Sequence, residues 1–287
     1  MSFNIGGIMK ISLIVNKDKA RALEVAESVV KELVPLGVEL LSCEDCPVEG
    51  TTVKATAEEA IRGCDIAVTI GGDGTIIHNA KYAATYEKPL LGVNLGRVGF
   101  VANIEPDETR ELKKLVTGDY RIQKRMLLDV TVEQDGVQRN FTAVNEAVLQ
   151  RDTRSNMVDM SVALHGERII SYRADGMLFS TPTGSTAYSF SAGGPVIEPD
   201  MRCILLTPIC PQALSSRQAV FGENAVLSAK VYPMSGLSCY MTVDGQYHIP
   251  ISTDDSVTVR KSPKELQLII IKEKNFYTLL NEKLKEF

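Results

Sequence analysis

Several broad classes are excluded by what this chain has little of. No apolar run approaches the ~20 residues that a membrane-spanning helix needs, and the runs Leu266–Ile271 and Ile11–Val15 are strand-sized. The opening stretch Met1–Lys10 has neither a basic region nor an apolar core, so no export signal is expected. Six cysteines scattered irregularly through 287 residues do not make a disulfide framework. A cytoplasmic location is therefore expected. Positive charge is also in short supply. A net charge of −5 argues against a nucleic-acid partner, which normally demands a concentrated basic surface. It leaves room for a phosphate-bearing small molecule held on a local nest of backbone N–H groups. Cys43 and Cys46 have the spacing of half a zinc site, but no second pair follows, and no protein metal ligand is assigned. The remaining cysteines, Cys64, Cys203, Cys210 and Cys239, read as buried small hydrophobes.

What is present falls into two halves. The first ~120 residues alternate strand and helix patterns. Strands are expected over Lys10–Val15, Val38–Leu41, Asp65–Ile70 and Leu90–Asn94. Helices are expected over Lys19–Leu33, Ala55–Arg62 and Thr75–Tyr86, with one more from a cap at Asp107 to Thr117. Such alternation means a parallel sheet covered by helices, an α/β domain. From Arg121 the period becomes two. Leu127–Glu133 and Gln138–Gln150 flank the turn Asp135-Gly136, and Met157–Leu164 and Arg168–Tyr172 flank His165-Gly166. Ala225–Tyr232, Ser238–Val243, Gln246–Ile251, Ser256–Arg260 and Leu266–Lys272 complete an all-β, sandwich-like domain. The boundaries drawn are 1–122 with 273–287, and 123–272. The tail Asn275–Phe287 reads as a helix with Phe276, Leu279, Leu280 and Leu284 on one face, packing back on the first domain.

The chemistry concentrates at Gly71-Gly72-Asp73-Gly74-Thr75, which follows a strand and opens a helix. Three glycines permit unusual backbone conformations and let a ligand approach the main chain. The helix start offers unpaired N–H groups and the positive end of a dipole, which suits phosphate. Neither the dinucleotide fingerprint nor the P-loop lysine motif is present there. Asp73 is an unsuitable phosphate ligand because like charges repel. It is placed to take a proton from a hydroxyl or to hold Mg²⁺, or, more plainly, to cap the helix.

Further segments follow in order: Asn94 to Phe100, Asn145-Glu146, Asp175-Gly176, Ser180 to Ser189, Ser191 to Pro195, Thr207 to Pro211, Ser215 to Arg217, and Val243-Asp244-Gly245. This ordered set, spanning Lys10 to Phe287, resembles the NAD kinase family. The pentapeptide alone is also similar to diacylglycerol, sphingosine and phosphofructokinase loops, so a lipid or sugar kinase is the rival enzyme. A non-catalytic NAD sensor is the rival from another class.

The resemblance implies phosphoryl transfer from ATP or polyphosphate, with Mg²⁺ or another divalent metal, to the adenosine 2′-hydroxyl of NAD. It implies Asp73 as the catalytic base. It implies NAD contacts from Gly74, Phe100, Asn145, Glu146, Asp175, Thr183, Thr186, Ala187, Tyr188 and Asp244. The phosphate-donor loop is implied to comprise Gly71, Gly72, Gly74, Thr75, Asn94, Gly96, Arg97 and Gly99. The active site is expected between the two domains, and a homo-oligomer, tetramer or dimer, is implied. The residues themselves agree with such roles. An Asn amide matches an adenine edge, and Tyr188 suits a ring or a ribose hydroxyl. So small and polar a run as Thr181–Ser189 is not expected to fill a core.

Overall fold

The computed structural model describes residues 8–96, 99–152, 156–213, 216–232 and 239–285. Arg97, Val98, Ser215, Ser238 and the last two residues of the expected C-terminal helix lie outside the described residues. The chain divides into two compact units, one made of Met1–Lys124 with Leu266–Phe287, the other of Arg125–Glu265.

The first unit runs β1 (Lys10–Val15), α1 (Ala22–Leu33), β2 (Glu39–Cys43), β3 (Thr52–Lys54), α2 (Ala57–Arg62), β4 (Ile66–Gly71), α3 (Asp73–Thr85), β5 (Leu90–Asn94) and α4 (Lys113–Thr117). The strands pair in parallel in the order β5-β4-β1-β2-β3. β4 and β5 are buried at every position, as parallel strands covered on both faces must be. The apolar stripe of α1 (Ala22, Val25, Ala26, Val29 and Leu33) joins Ile11, Leu13 and Val68 in one core. Two expected helix starts are corrected. Arg21 sits at φ 64°, in the left-handed region, so α1 begins at Ala22 and not at Lys19. Asp107 caps nothing: a 3-10 turn, Thr109–Leu112, leads into α4, and Glu108 stands at its start.

The second unit holds β6 (Arg121–Gln134, entered from the first unit), β7 (Val137–Ala143), β8 (Glu146–Arg151), β9 (Val158–Leu164), β10 (Glu167–Ala174), β11 (Gly176–Ser180), α5 (Tyr188–Ser191), β12 (Cys203–Ile209), β13 (Ala219–Gly222), β14 (Val226–Tyr232), β15 (Cys239–Val243), β16 (Gln246–Ile251) and β17 (Ser256–Ile270). One antiparallel sheet has the order β13-β12-β11-β8-β15-β16. The other contains β10-β9-β14-β17, and β6 and β7 form a hairpin. Phe179, Leu206 and Met241 of the first sheet share a core with Val162, Leu227 and Val257 of the second, the sandwich expected. Asp135-Gly136 and His165-Gly166 both have paired positive φ angles, as two-residue hairpin turns require.

Four expectations fail here. Gln138–Gln150 is two strands in different sheets, because the Asp244 carboxylate accepts N–H bonds from Val144, Asn145 and Glu146 at 2.8, 2.8 and 3.0 Å and turns the chain there. The segments expected at Ser256–Arg260 and Leu266–Lys272 are joined in one strand, β17, which ends at Ile270 and whose Leu268 pairs with Leu90 inside the first unit. Thr181, Ser185 and Ser189 are fully buried. Their hydroxyls are satisfied within the fold: Thr181 donates to the Val144 carbonyl (2.6 Å), Ser185 to that of Pro182 (2.7 Å), and Ser189 bonds Thr207 (3.0 Å). Cys210 is exposed, at φ 46°, and is no core residue.

The chain ends in α6 (Phe276–Lys285), capped by Asn275, whose side-chain oxygen accepts from the N–H groups of Tyr277 and Thr278. The helix packs in the first unit as expected, with the Phe276 ring 5.9 Å from that of Phe100. Leu284 does not join that face; it is 45% exposed.

Candidate active site

Gly71 ends β4, Gly72 caps α3 at φ −88°, and Asp73 opens the helix. None of the three glycines has a positive φ. Their backbone conformations are open to other residues, which corrects the expectation of unusual conformations. A Cβ on Gly71 would stand 2.6 Å from Thr75 Oγ1, whereas a Cβ on Gly74 would meet nothing within 4 Å. Gly74 borders open space.

Asp73 is not a helix cap. Its Oδ2 accepts from Phe100 N at 2.9 Å, and its Oδ1 from Val101 N at 3.3 Å. Gly99 must be glycine beside it, since a Cβ there would lie 2.8 Å from Asp73 Oδ1. Two backbone N–H groups thus fix the carboxylate at one wall of a cavity of about 730 Å³. Gly72, Gly74, Thr75, Asn94, Gly96 and Gly99 line that cavity, which gathers most of the expected donor loop. Gly71 lies just behind, in the strand. The Asn94 side chain accepts from Gly96 N at 3.0 Å and donates to Glu105 at 3.1 Å, so its role is to shape the loop.

His78, on the helix after the glycine loop, lines the cavity as its position suggests; the sequence reading missed Asn16 to Lys19, Asn79 and Lys283, which line it too. Asn16 donates to Thr75 Oγ1 at 2.8 Å and ties the end of β1 to the donor loop. The available signal was topological. β1 neighbours β4 in a parallel sheet, and ligands of such sheets sit outside the carboxyl ends of strands.

The second unit collects the other expected residues. Glu146 in β8 lies opposite Ser180 in β11, and Thr181 N donates to Asn145 O at 2.9 Å. Gly184 packs so tightly there that a Cβ would stand 2.3 Å from Asn145 O. Glu146 is 7% exposed and its Oε2 has no hydrogen-bond partner. Burial, reinforced by the Asp244 charge, pushes its carboxyl up to about 8. Thr183 Oγ1 is likewise buried without a partner, while Thr186 Oγ1 donates to Thr183 O at 3.2 Å. Burial raises the Tyr188 hydroxyl, with Cys210, Tyr240, Asp175 and Glu146 near enough to add to the shift. Asp175 is already engaged: Arg151 holds it through Nε at 2.6 Å and a second N–H at 3.3 Å. Asp244 is engaged by the three backbone N–H groups at the Val144–Glu146 corner.

The ATP-NAD kinase N-terminal domain family matches residues 11–120, and its C-terminal counterpart matches residues 144–271. This chain is 36% identical over 282 residues to the NAD kinase of Heliobacterium modesticaldum, a match covering 96% of this chain and 98% of the relative. The chain belongs to the NAD kinase family. Its fold is also that of a yeast NADH kinase crystallised with NADH, at a TM-score of 0.83 and 24% identity over 98% of this chain and 89% of the other. An NAD kinase from Archaeoglobus fulgidus, crystallised with ATP, aligns at a TM-score of 0.75 and 25% identity, covering 97% of this chain and all of its own.

Against that family background, the two groups of residues keep different company. The described donor-loop residues other than Gly71 line an open cavity, and Glu146 and Thr183 each keep a buried oxygen without a partner. Phe100 acts within the first unit: its amide holds Asp73, its ring meets Phe276, and Lys283 Nζ lies 4.4 Å from the ring centroid. Cys43 and Cys46 are buried, and burial raises the Cys46 thiol.

Proposed function

We propose that this chain transfers the terminal phosphoryl group of ATP or polyphosphate to the adenosine 2′-hydroxyl of NAD, giving NADP. The observation that carries this reading is the Asp73 carboxylate, clamped by two backbone N–H groups at the wall of a cavity that Gly74 leaves open. The donor phosphates would lie along the first turn of α3, where the N–H groups have no intrahelical acceptor, and along the backbone at Gly96 and Gly99. Asp73 takes the proton from the 2′-hydroxyl as the new O–P bond forms and the bond to the donor's leaving phosphate breaks. Most of the rate acceleration comes from positioning and charge neutralisation. Among the described residues no three His, Cys, Asp or Glu side chains gather to cage a cation. A Mg²⁺ ion would be held by the donor's phosphates together with Asp73, and would supply charge neutralisation there.

NAD would be gripped by Asn145, Thr183, Thr186, Ala187 and Tyr188. The partnerless Glu146 Oε2 and Thr183 Oγ1 are groups that a polar ligand would satisfy. Asp175 and Asp244 act one step back, by holding Arg151 and the Val144–Glu146 corner in place. Six free thiols suit a reducing cytoplasm. The sheet edges at β13 and β16 suit pairing between copies in a homo-oligomer.

The test is NADP formation by the purified chain from NAD with Mg²⁺ and each of ATP, another nucleoside triphosphate and polyphosphate. A backbone cradle reads phosphate and not base, so saturable turnover is expected with all three donors. No NADP from any donor refutes the function, and turnover with ATP alone refutes the donor assignment.

A further inference from the structure

The donor cavity carries charge of both signs: Asp18, Asp45 and Asp73 against Lys17, Lys19 and Lys283. A triphosphate brings a large negative charge that backbone dipoles and one metal ion do not balance alone. The three lysines are not equivalent. Lys17 is paired with Asp45 at 2.7 Å on the surface. Lys19 is exposed in the turn before α1, where holding its long side chain still would cost rotamer freedom. Lys283 differs on both counts. It stands in α6, half-buried, with its ammonium 4.4 Å above the Phe100 ring. Among the described residues it makes no ion pair. An ammonium held in place at a cavity wall, with no carboxylate partner among the described residues, suits an anionic ligand.

The same Phe100 donates its backbone N–H to Asp73. One residue therefore positions the proposed base and the Lys283 ammonium together. We infer that Lys283 binds the phosphate end of the donor, adding from the last helix of the chain the side-chain cation that the Gly71–Thr75 loop lacks. This rests on the phosphoryl-transfer reading above.

Lys283→Met keeps the stem over the Phe100 ring and removes only the charge. Lys283→Arg keeps the charge. For Lys283→Met, the KM for ATP and for polyphosphate should rise about tenfold or more, the loss typical of a charged hydrogen-bonding group. The KM for NAD and the melting temperature should stay as in the parent, and Lys283→Arg should restore most of the donor affinity. Calorimetric titration of Mg-ATP without NAD should show the same loss. Parent-like donor KM in Lys283→Met overturns the inference. So does a rise in the KM for NAD equal to that for ATP, or a fall in melting temperature without Arg rescue, since either assigns Lys283 to packing. Failure of the unaltered chain to make NADP falls on the phosphoryl-transfer reading instead, and the two failures are separable.

Discussion

Glycine does opposite work in the two units. At Gly184 in the second unit, the missing side chain is filled by the chain itself, with the Asn145 carbonyl 2.3 Å from where a Cβ would stand. At Gly74 in the first unit, nothing lies within 4 Å of that point, and φ is not positive. Glycine inside a helix costs about 1 kcal/mol relative to alanine, and no packing at Gly74 offsets it. At Gly184 neighbouring backbone occupies the place of the missing side chain, whereas at Gly74 that place is open. The carboxylates divide in the same way. Asp73 sits at an open cavity wall with two N–H donors, while Glu146 is shut in with an oxygen that nothing satisfies.

Four measurements can break or sharpen this contrast. The largest effect is expected from Asp73→Asn, which keeps size but removes proton acceptance. Turnover should fall by about 10²–10⁴, with NAD affinity little changed. Retention of more than about a tenth of parental turnover would end the role of Asp73 as base. Next comes Glu146. With its carboxyl at about 8 in the fold, against an ordinary 4.5, the folded state holds a proton that the unfolded chain releases. The contribution of Glu146 to the stability of the ligand-free chain should be greatest below the lower value and be lost as pH rises through the upper one, by at most about 5 kcal/mol. Urea midpoints across that range should show the slope in the parent and lose it in Glu146→Gln; a flat parental profile would contradict the burial argument. Gly184→Ala should destabilise the second unit by about 1–3 kcal/mol, because the Asn145 backbone must move, and an unchanged melting temperature would show that it need not. The smallest effect is on the stability of Gly74→Ala, expected to gain up to about 1 kcal/mol of helix propensity. That variant should nevertheless bind the donor more weakly. Unchanged donor KM would mean that the space beside Gly74 is not used.

What could be read from the sequence was what neighbouring residues determine together. β5 occupies the expected Leu90–Asn94, and the Asp135-Gly136 and His165-Gly166 turns fall where their residue types place them. The glycine loop, the Asn145-Glu146 pair and the Thr183–Tyr188 run were visible as motifs. The partners of those residues were not. Asp73 is held by amides 27 and 28 positions away, and the chain turns at Val144 because of a carboxylate 100 positions later. β11 and β12 are buried at every position and show no alternation. The burial of Thr181, Ser185 and Ser189 depends on hydroxyl partners that composition does not reveal. Lys283 carries no motif at all; only the return of α6 to the first unit brings it to the cavity.

That return has a consequence for how the molecule is made. The first unit is assembled from two stretches of chain separated by the whole second unit, and its sheet gains Leu268 of β17 only after that unit has been traversed. A nascent chain leaving the ribosome presents β5 with its outer edge open until Leu268 is translated, for roughly 10 s or more at ordinary elongation rates. The last strand and the helix bearing Lys283 then arrive in quick succession. Assembly of the donor cavity therefore waits until the whole second unit has been translated.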